Sequence, residues 1–141
     1  VCTRLATGIA ADGEGASRLI EIRAEGLRTQ RDALLIVSAV ARSPLVKTMM
    51  AGGDANWGRI FTAAGYSGAA FDPDGCDIYL GSVKVCERGT ALAFDEAKAA
   101  EALAQKEIQI RLAFREGDAA ERIWTCDLTD EYVRINGSYR S

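Results

Sequence analysis

The side chains able to do chemistry in this sequence are few, and the first of them is a carboxylate, Glu14, set between Gly13 and Gly15. Glycines on both sides leave room for a cationic amine to approach, although an acid in such a setting is more commonly a solvated turn residue. Histidine is absent, so serine or cysteine hydrolase chemistry on this chain would need another base. Catalysis must draw on carboxylates, lysine, an amine or groups from a second chain. Cys2, Cys76, Cys86 and Cys126 stand at wide, irregular spacings without a CxxC pair. With no histidine to complete a zinc set, they read as reduced, partly buried thiols and not as a metal site. Asp127, Asp130 and Glu131 could suggest paired acids, but their place beside a helix start is explained by capping. No metal is expected there.

Composition narrows the partners. Lys and Arg number 17 against 20 Asp and Glu, and the basic residues are scattered singly. They form no stripe that could neutralise successive phosphates, so nucleic acid is a poor candidate partner. The longest apolar runs, such as 33–41, are interrupted by Ser38 and too short to cross a bilayer, and the amino end carries no targeting pattern. The expectation is a soluble, cytoplasmic protein with no membrane association. A hydrophobic content of 48% over 141 residues suffices for one compact core, or for a large part of a two-chain domain.

The elements that must position these residues follow from periodicity. Val1, Leu5 and Ile9 fall at helical spacing, and Asp12-Gly13-Glu14-Gly15 ends that helix in a sharp turn. Over 18–25, Ile20, Ile22 and Ala24 alternate with Glu21, Arg23 and Glu25, as a half-buried strand requires. The Glu14 loop thus feeds directly into a sheet. Thr29 to Asp32 has the form of a helix start, and 34–41 is apolar nearly all round, which predicts a buried helix. Pro44 disfavours helical geometry at Ser43, so 45–50 is expected to run extended until Gly52-Gly53, with a helix resuming over 57–64. Residues 77–86 form a hairpin about Gly81-Ser82, and 94–106 is an alanine-rich helix. Ile108, Ile110, Leu112 and Phe114 then alternate with polar neighbours, and Glu116-Gly117-Asp118 turns the chain into an extended run through Trp124 and Cys126. These are expected to be two neighbouring antiparallel strands. Thr129-Asp130-Glu131 begins a short helix through Ile135, leaving 136–141 as a polar tail. The fold class is α/β or α+β layered, with mixed sheets packed against helices and no internal repeat.

Three segments, taken together, resemble the ornithine acetyltransferase family. They are Asp12-Gly13-Glu14-Gly15-Ala16; Ser43-Pro44-Leu45-Val46-Lys47-Thr48 followed by Asn56-Trp57-Gly58-Arg59-Ile60; and Cys126-Asp127-Leu128-Thr129 followed by Tyr132-Val133-Arg134-Ile135-Asn136. Their order and spacing match, and the resemblance extends through Phe71-Asp72-Pro73 to the closing Tyr139-Arg140-Ser141. The family segment usually has proline where this chain has Ala55, which implies a less rigid loop here.

The resemblance implies an enzyme made as one precursor that cuts itself before a threonine. The new β-chain threonine carries acetyl from N-acetyl-L-ornithine to L-glutamate in a ping-pong reaction of arginine biosynthesis. Such a threonine uses its own α-amine as base, which suits a chain without histidine. Thr3 and Thr7 do not match that nucleophile, which is expected upstream; this chain therefore carries no catalytic residue and is expected to be inactive alone. Glu14, Asn136 and Ser141 match the family's substrate-contacting positions. Lys47, Asn56, Trp57 and Arg59 are assigned to building a loop and packing the sheet.

In this reading residues 1–30 complete a catalytic sandwich shared with a companion α chain and the missing start of the β chain, and 31–141 form an α/β region with a substrate-binding tail. The assembly is α2β2, its oxyanion donors come from the companion chain, and its small-molecule partners are N-acetylornithine, ornithine and glutamate. No cofactor is implied, although a bifunctional member would also take acetyl-coenzyme A as co-substrate. Two alternatives stand beside it: a noncatalytic amino-acid-binding or regulatory module of the same fold, and a related self-cleaving aminopeptidase.

Overall fold

The alternating run around Ile22 becomes a central strand in the computed structural model, which describes residues 2–138. β1 (Leu19–Leu27) buries Ile20, Ile22, Ala24 and Leu27 completely. It is hydrogen-bonded in parallel to β5 (Glu107–Ala113) and antiparallel to β6 (Ala119–Cys126). β2 (Asp77–Leu80) and β3 (Val83–Glu87) form the expected hairpin, with Leu80 opposite Val83, and a two-residue β4 (Thr90–Ala91) extends it. The six strands lie in the order β4-β3-β2-β5-β1-β6.

β5 and β6 are therefore not neighbours, contrary to the expectation from sequence. They run in opposite directions but β1 lies between them. Period-two alternation identifies strands and their buried face, whereas pairing depends on which edge a distant strand already occupies. Because β1 comes from residues 1–30 and both its partners from 31–141, the two stretches share one sheet.

One face of the sheet is covered by helices. α2 (Gln30–Arg42) starts where Thr29 accepts a hydrogen bond from the Asp32 amide, and it buries Ala33, Ile36, Val37, Val40 and Ala41. Leu34, on its other side, is exposed, so the helix is buried along a stripe and not all round.

The segment expected to be extended is instead α3 (Pro44–Gly52). Pro44 occupies the first helical position, where its missing N–H is no loss, and Ser43 holds the extended geometry that a residue before proline favours. The proline marks a helix start. Ser43 Oγ accepts from the Val46 amide at 3.4 Å, and Val46, Met49 and Met50 enter the core.

α4 (Trp57–Gly65) is capped by Asn56, and α5 (Glu96–Ala104) by Asp95. α1 (Cys2–Ala11) and α6 (Asp130–Gly137) flank the sheet and bury no residue fully. Among the described residues no single helix is long and apolar enough to cross a membrane.

The uncovered face carries a polar lattice. Arg23 and Arg111 both pair with Glu25, at 2.8 and 2.9 Å, Gln109 donates to Glu21 at 2.9 Å, and the Arg111 guanidinium stacks 3.8 Å from the centre of the Tyr79 ring. All four cysteines are free thiols, with Cys76 and Cys86 buried. Burial pushes both of those thiols above their ordinary range.

Candidate functional site

Between α1 and β1 the chain must pass the start of α6, and the passage is close. Gly15 has φ 71°, and a Cβ there would lie 2.6 Å from the Tyr132 amide nitrogen and 2.9 Å from its Cα. At Gly13 a Cβ would lie 2.7 Å from Cys126 Sγ. The two glycines flanking Glu14 thus let the loop press against β6 and α6, a requirement invisible from the loop's own sequence.

Side chains then tie the loop down. Thr129 Oγ1 donates to the Gly15 carbonyl at 2.5 Å, so this hydroxyl, expected to cap α6, bonds the Glu14 loop instead and makes no cap. Asp127, also assigned to capping, is buried and accepts from the Ser17 and Arg18 amides at 2.8 and 3.0 Å and from the Ser17 hydroxyl. Its role is to hold the entry to β1. Glu131 does lie in the first turn of α6, where it pairs with Arg134; that hydrogen bond holds its carboxyl below the ordinary range.

Two of the three substrate residues implied by the resemblance meet. Asn136 Nδ2 donates to Glu14 Oε2 at 3.1 Å and to the Tyr132 carbonyl at 2.9 Å, across a sequence separation of 122 between Asn136 and Glu14. Asn136, expected in a tail, lies within the last turn of α6, which extends to Gly137. The third, Ser141, lies outside the described residues.

The loop that ends β6 also touches α3. Leu128 N donates to the Lys47 carbonyl at 3.1 Å, and the Arg18 guanidinium reaches the Met50 and Ala51 carbonyls. The segments around 14, 47 and 127–136, which carry the resemblance, therefore converge. Between them opens a pocket of about 340 Å³ whose wall includes Glu14, Arg42, Lys47, Cys126, Asp127 and Tyr132. Two acids and two bases around one hollow suit a ligand that carries both charges. Among the described residues no cluster of three or more His, Cys, Asp or Glu side chains could hold a metal ion.

Residues 1–141 match the ArgJ family along their whole length. The chain belongs to the ArgJ family. It is 52% identical over 141 residues to the arginine biosynthesis bifunctional protein ArgJ of Caldanaerobacter subterraneus, an alignment covering 97% of this chain and 35% of that protein. The protein of the same name from Symbiobacterium thermophilum is 48% identical, with 100% of this chain and 35% of the relative covered. The crystal structure of the arginine biosynthesis bifunctional protein argJ from Bacillus halodurans superposes with a TM-score of 0.94 at 38% identity, covering 98% of this chain and 65% of that one. The mixed α/β fold is thus an ArgJ fold, and the chain spans about 35% of the length of the curated relatives it matches.

Within this ArgJ segment, Asn56, Trp57 and Arg59 are in structural positions. Asn56 Oδ1 accepts from the Arg59 amide at 3.3 Å, the Trp57 ring packs at a tilt against Phe61 with centroids 6.2 Å apart, and the Arg59 guanidinium donates to the Leu45 carbonyl at 3.1 Å. Lys47 differs, because it lines the pocket with Glu14. Two other hollows of about 230 Å³, one beside Arg23 and Arg122 and one beside Glu21 and Trp124, lie on the polar sheet face and gather none of the substrate positions that the resemblance implies.

Proposed function

We propose that this chain forms one wall of the amino-acid pocket of a glutamate N-acetyltransferase, which moves acetyl from N-acetyl-L-ornithine to L-glutamate in arginine biosynthesis. The observation that carries this reading is the hydrogen bond joining Asn136 to Glu14 at the edge of the pocket. N-acetylornithine has a free side-chain amine, cationic at neutral pH. Glu14 is the carboxylate that receives it, and Asn136 fixes that carboxylate by donating to Oε2 while its own amide oxygen stays free to accept from the ligand. Ser141 would add a hydroxyl from the same end of the chain.

The reaction needs a nucleophile from an adjoining segment. A threonine hydroxyl, deprotonated by its own α-amine, attacks the acetyl carbonyl; the amide C–N bond breaks, the amine takes the proton, and ornithine departs. The α-amine of glutamate then attacks the resulting ester and regenerates the threonine hydroxyl as N-acetylglutamate leaves. Acetyl-coenzyme A could load the same threonine with release of the thiol, which would account for a second activity. In this account a companion α chain supplies the oxyanion donors, residues 1–30 complete a sandwich with that chain in an α2β2 assembly, and the enzyme works in the cytoplasm.

Incubation of the intact assembly with acetyl-labelled N-acetylornithine, followed by acid quench and peptide mapping, tests this. Label is expected on a threonine outside residues 1–141, with ornithine released in equal amount. Label on a residue of this chain, or ornithine release without a labelled protein, would contradict it.

A further inference from the structure

An amino-acid ligand carries a carboxylate as well as an amine, and the Glu14–Asn136 pair accounts only for the amine. A cation on the same pocket would receive that anion, and on the wall formed by this chain the cations are Arg42 and Lys47. Arg42 is exposed at the end of α2, where a positive charge already complements the carbonyl end of the helix. Lys47 has no such explanation.

Lys47 is half-buried and stands in the first turn of α3, the end at which the helix dipole repels a cation. It takes part in none of the ion pairs formed among the described residues. Among the described residues its ammonium reaches only Cys126 Sγ, at 3.9 Å, and a thiol is a weak acceptor. Of the two carboxylates on the pocket wall, Asp127 is occupied by Ser17 and Arg18, and Glu14, which takes one hydrogen bond from Asn136 on Oε2, forms no ion pair with Lys47. The backbone at Lys47 is fixed, since its carbonyl accepts from Leu128 N and its amide donates to the Ser43 carbonyl at 3.0 Å. A half-buried ammonium on a fixed backbone, facing a pocket and lacking a carboxylate partner among the described residues, is suited to an anion.

We propose that Lys47 is a substrate-binding residue of this pocket, receiving the α-carboxylate of the amino-acid ligand while Glu14 receives its amine. The assignment rests on the amino-acid pocket reading above. It explains why the Ser43-Pro44 helix start and the Glu14 loop are stitched to the same β6–α6 turn: the two ends of one ligand must be held at a fixed spacing.

The test is calorimetric titration of the intact protein with N-acetylornithine and with its uncharged α-carboxamide. Wild-type protein is expected to bind the acid about tenfold or more tightly than the amide, the usual worth of a charge-assisted hydrogen bond. Lys47→Met abolishes that preference by weakening the acid alone, and Lys47→Arg keeps part of it. Should Lys47→Met fail to fold, Lys47→Gln, which retains the stem without the charge, takes its place with the same expected loss. Equal binding of acid and amide by the wild type, or an unchanged preference in the uncharged variant, overturns the assignment. Acetyl transfer is measured on the same preparations. Its absence, with the Lys47-dependent preference intact, would remove the acetyltransferase reading and leave the carboxylate site standing.

Discussion

Asn136 and Glu14 are separated by 122 positions and meet at 3.1 Å, and the glycine between Glu14 and α6 makes the meeting sterically feasible. Gly15→Ala is accordingly expected to destabilise the protein by at least about 1–2 kcal/mol, the cost of forcing a side chain into left-handed backbone geometry. Its Cβ would also push against the Tyr132 backbone, so the variant should bind N-acetylornithine more weakly even below its melting temperature. Denaturant melts and calorimetry on the intact protein check both effects; wild-type stability and affinity would contradict the packing argument. Glu14 was legible from sequence because glycines flanked it and the surrounding motif resembled a known family. The reason for those glycines was not, since it lies in a helix more than a hundred residues downstream. Lys47, assigned to building a loop, does bond the β6–α6 turn through its carbonyl and also lines the pocket with Glu14, and nothing near it in sequence shows that β6 ends beside it.

At the scale of elements, α3 is the instructive case. Pro44 suggests an extended segment after Ser43, whereas the first helical position tolerates proline and the serine before it caps the turn. Local sequence was compatible with both readings, and burial of Val46, Met49 and Met50 decided for the helix. Ser43→Ala is expected to cost about 1 kcal/mol, read as a lower denaturation midpoint with an unchanged slope; no shift would show that packing alone sets the helix start. The strands were found correctly from their alternation, as Ile20, Ile22, Ile108, Ile110 and Leu112 show by their burial. Their order was not, because the parallel pairing of β1 with β5 is closed by a long crossover that carries no local signal.

For the molecule as a whole, the sheet is secured at its β2 end by a buried carboxylate. Asp77 accepts from the Arg88 amide at 2.9 Å, the Arg115 guanidinium at 2.8 Å and the Lys84 ammonium at 3.2 Å. Burial pushes its pKa up, but these donors together outweigh burial and hold it below the ordinary carboxylate range. A depressed folded-state pKa means that the stabilisation is present above the unfolded value and is lost as pH falls through the folded one. Asp77→Asn should therefore lower stability at neutral pH by about 2–3 kcal/mol, less than for a fully buried pair because Arg115 and Lys84 are partly exposed. The variant should also flatten the loss of stability on acidification, which urea midpoints measured between neutral and acidic pH would reveal; parallel curves would contradict this role. The same core shields Cys76 and Cys86, whose raised pKa values and burial predict alkylation by iodoacetamide only after unfolding. Whether Glu14 receives the amine of an amino-acid ligand is decided by comparing N-acetylornithine with N-acetylnorvaline, which lacks that amine, in calorimetric titrations of the intact protein. Wild-type protein should prefer N-acetylornithine by about tenfold or more, and Glu14→Gln should abolish the preference without weakening N-acetylnorvaline. A preference that survives the substitution would contradict the account.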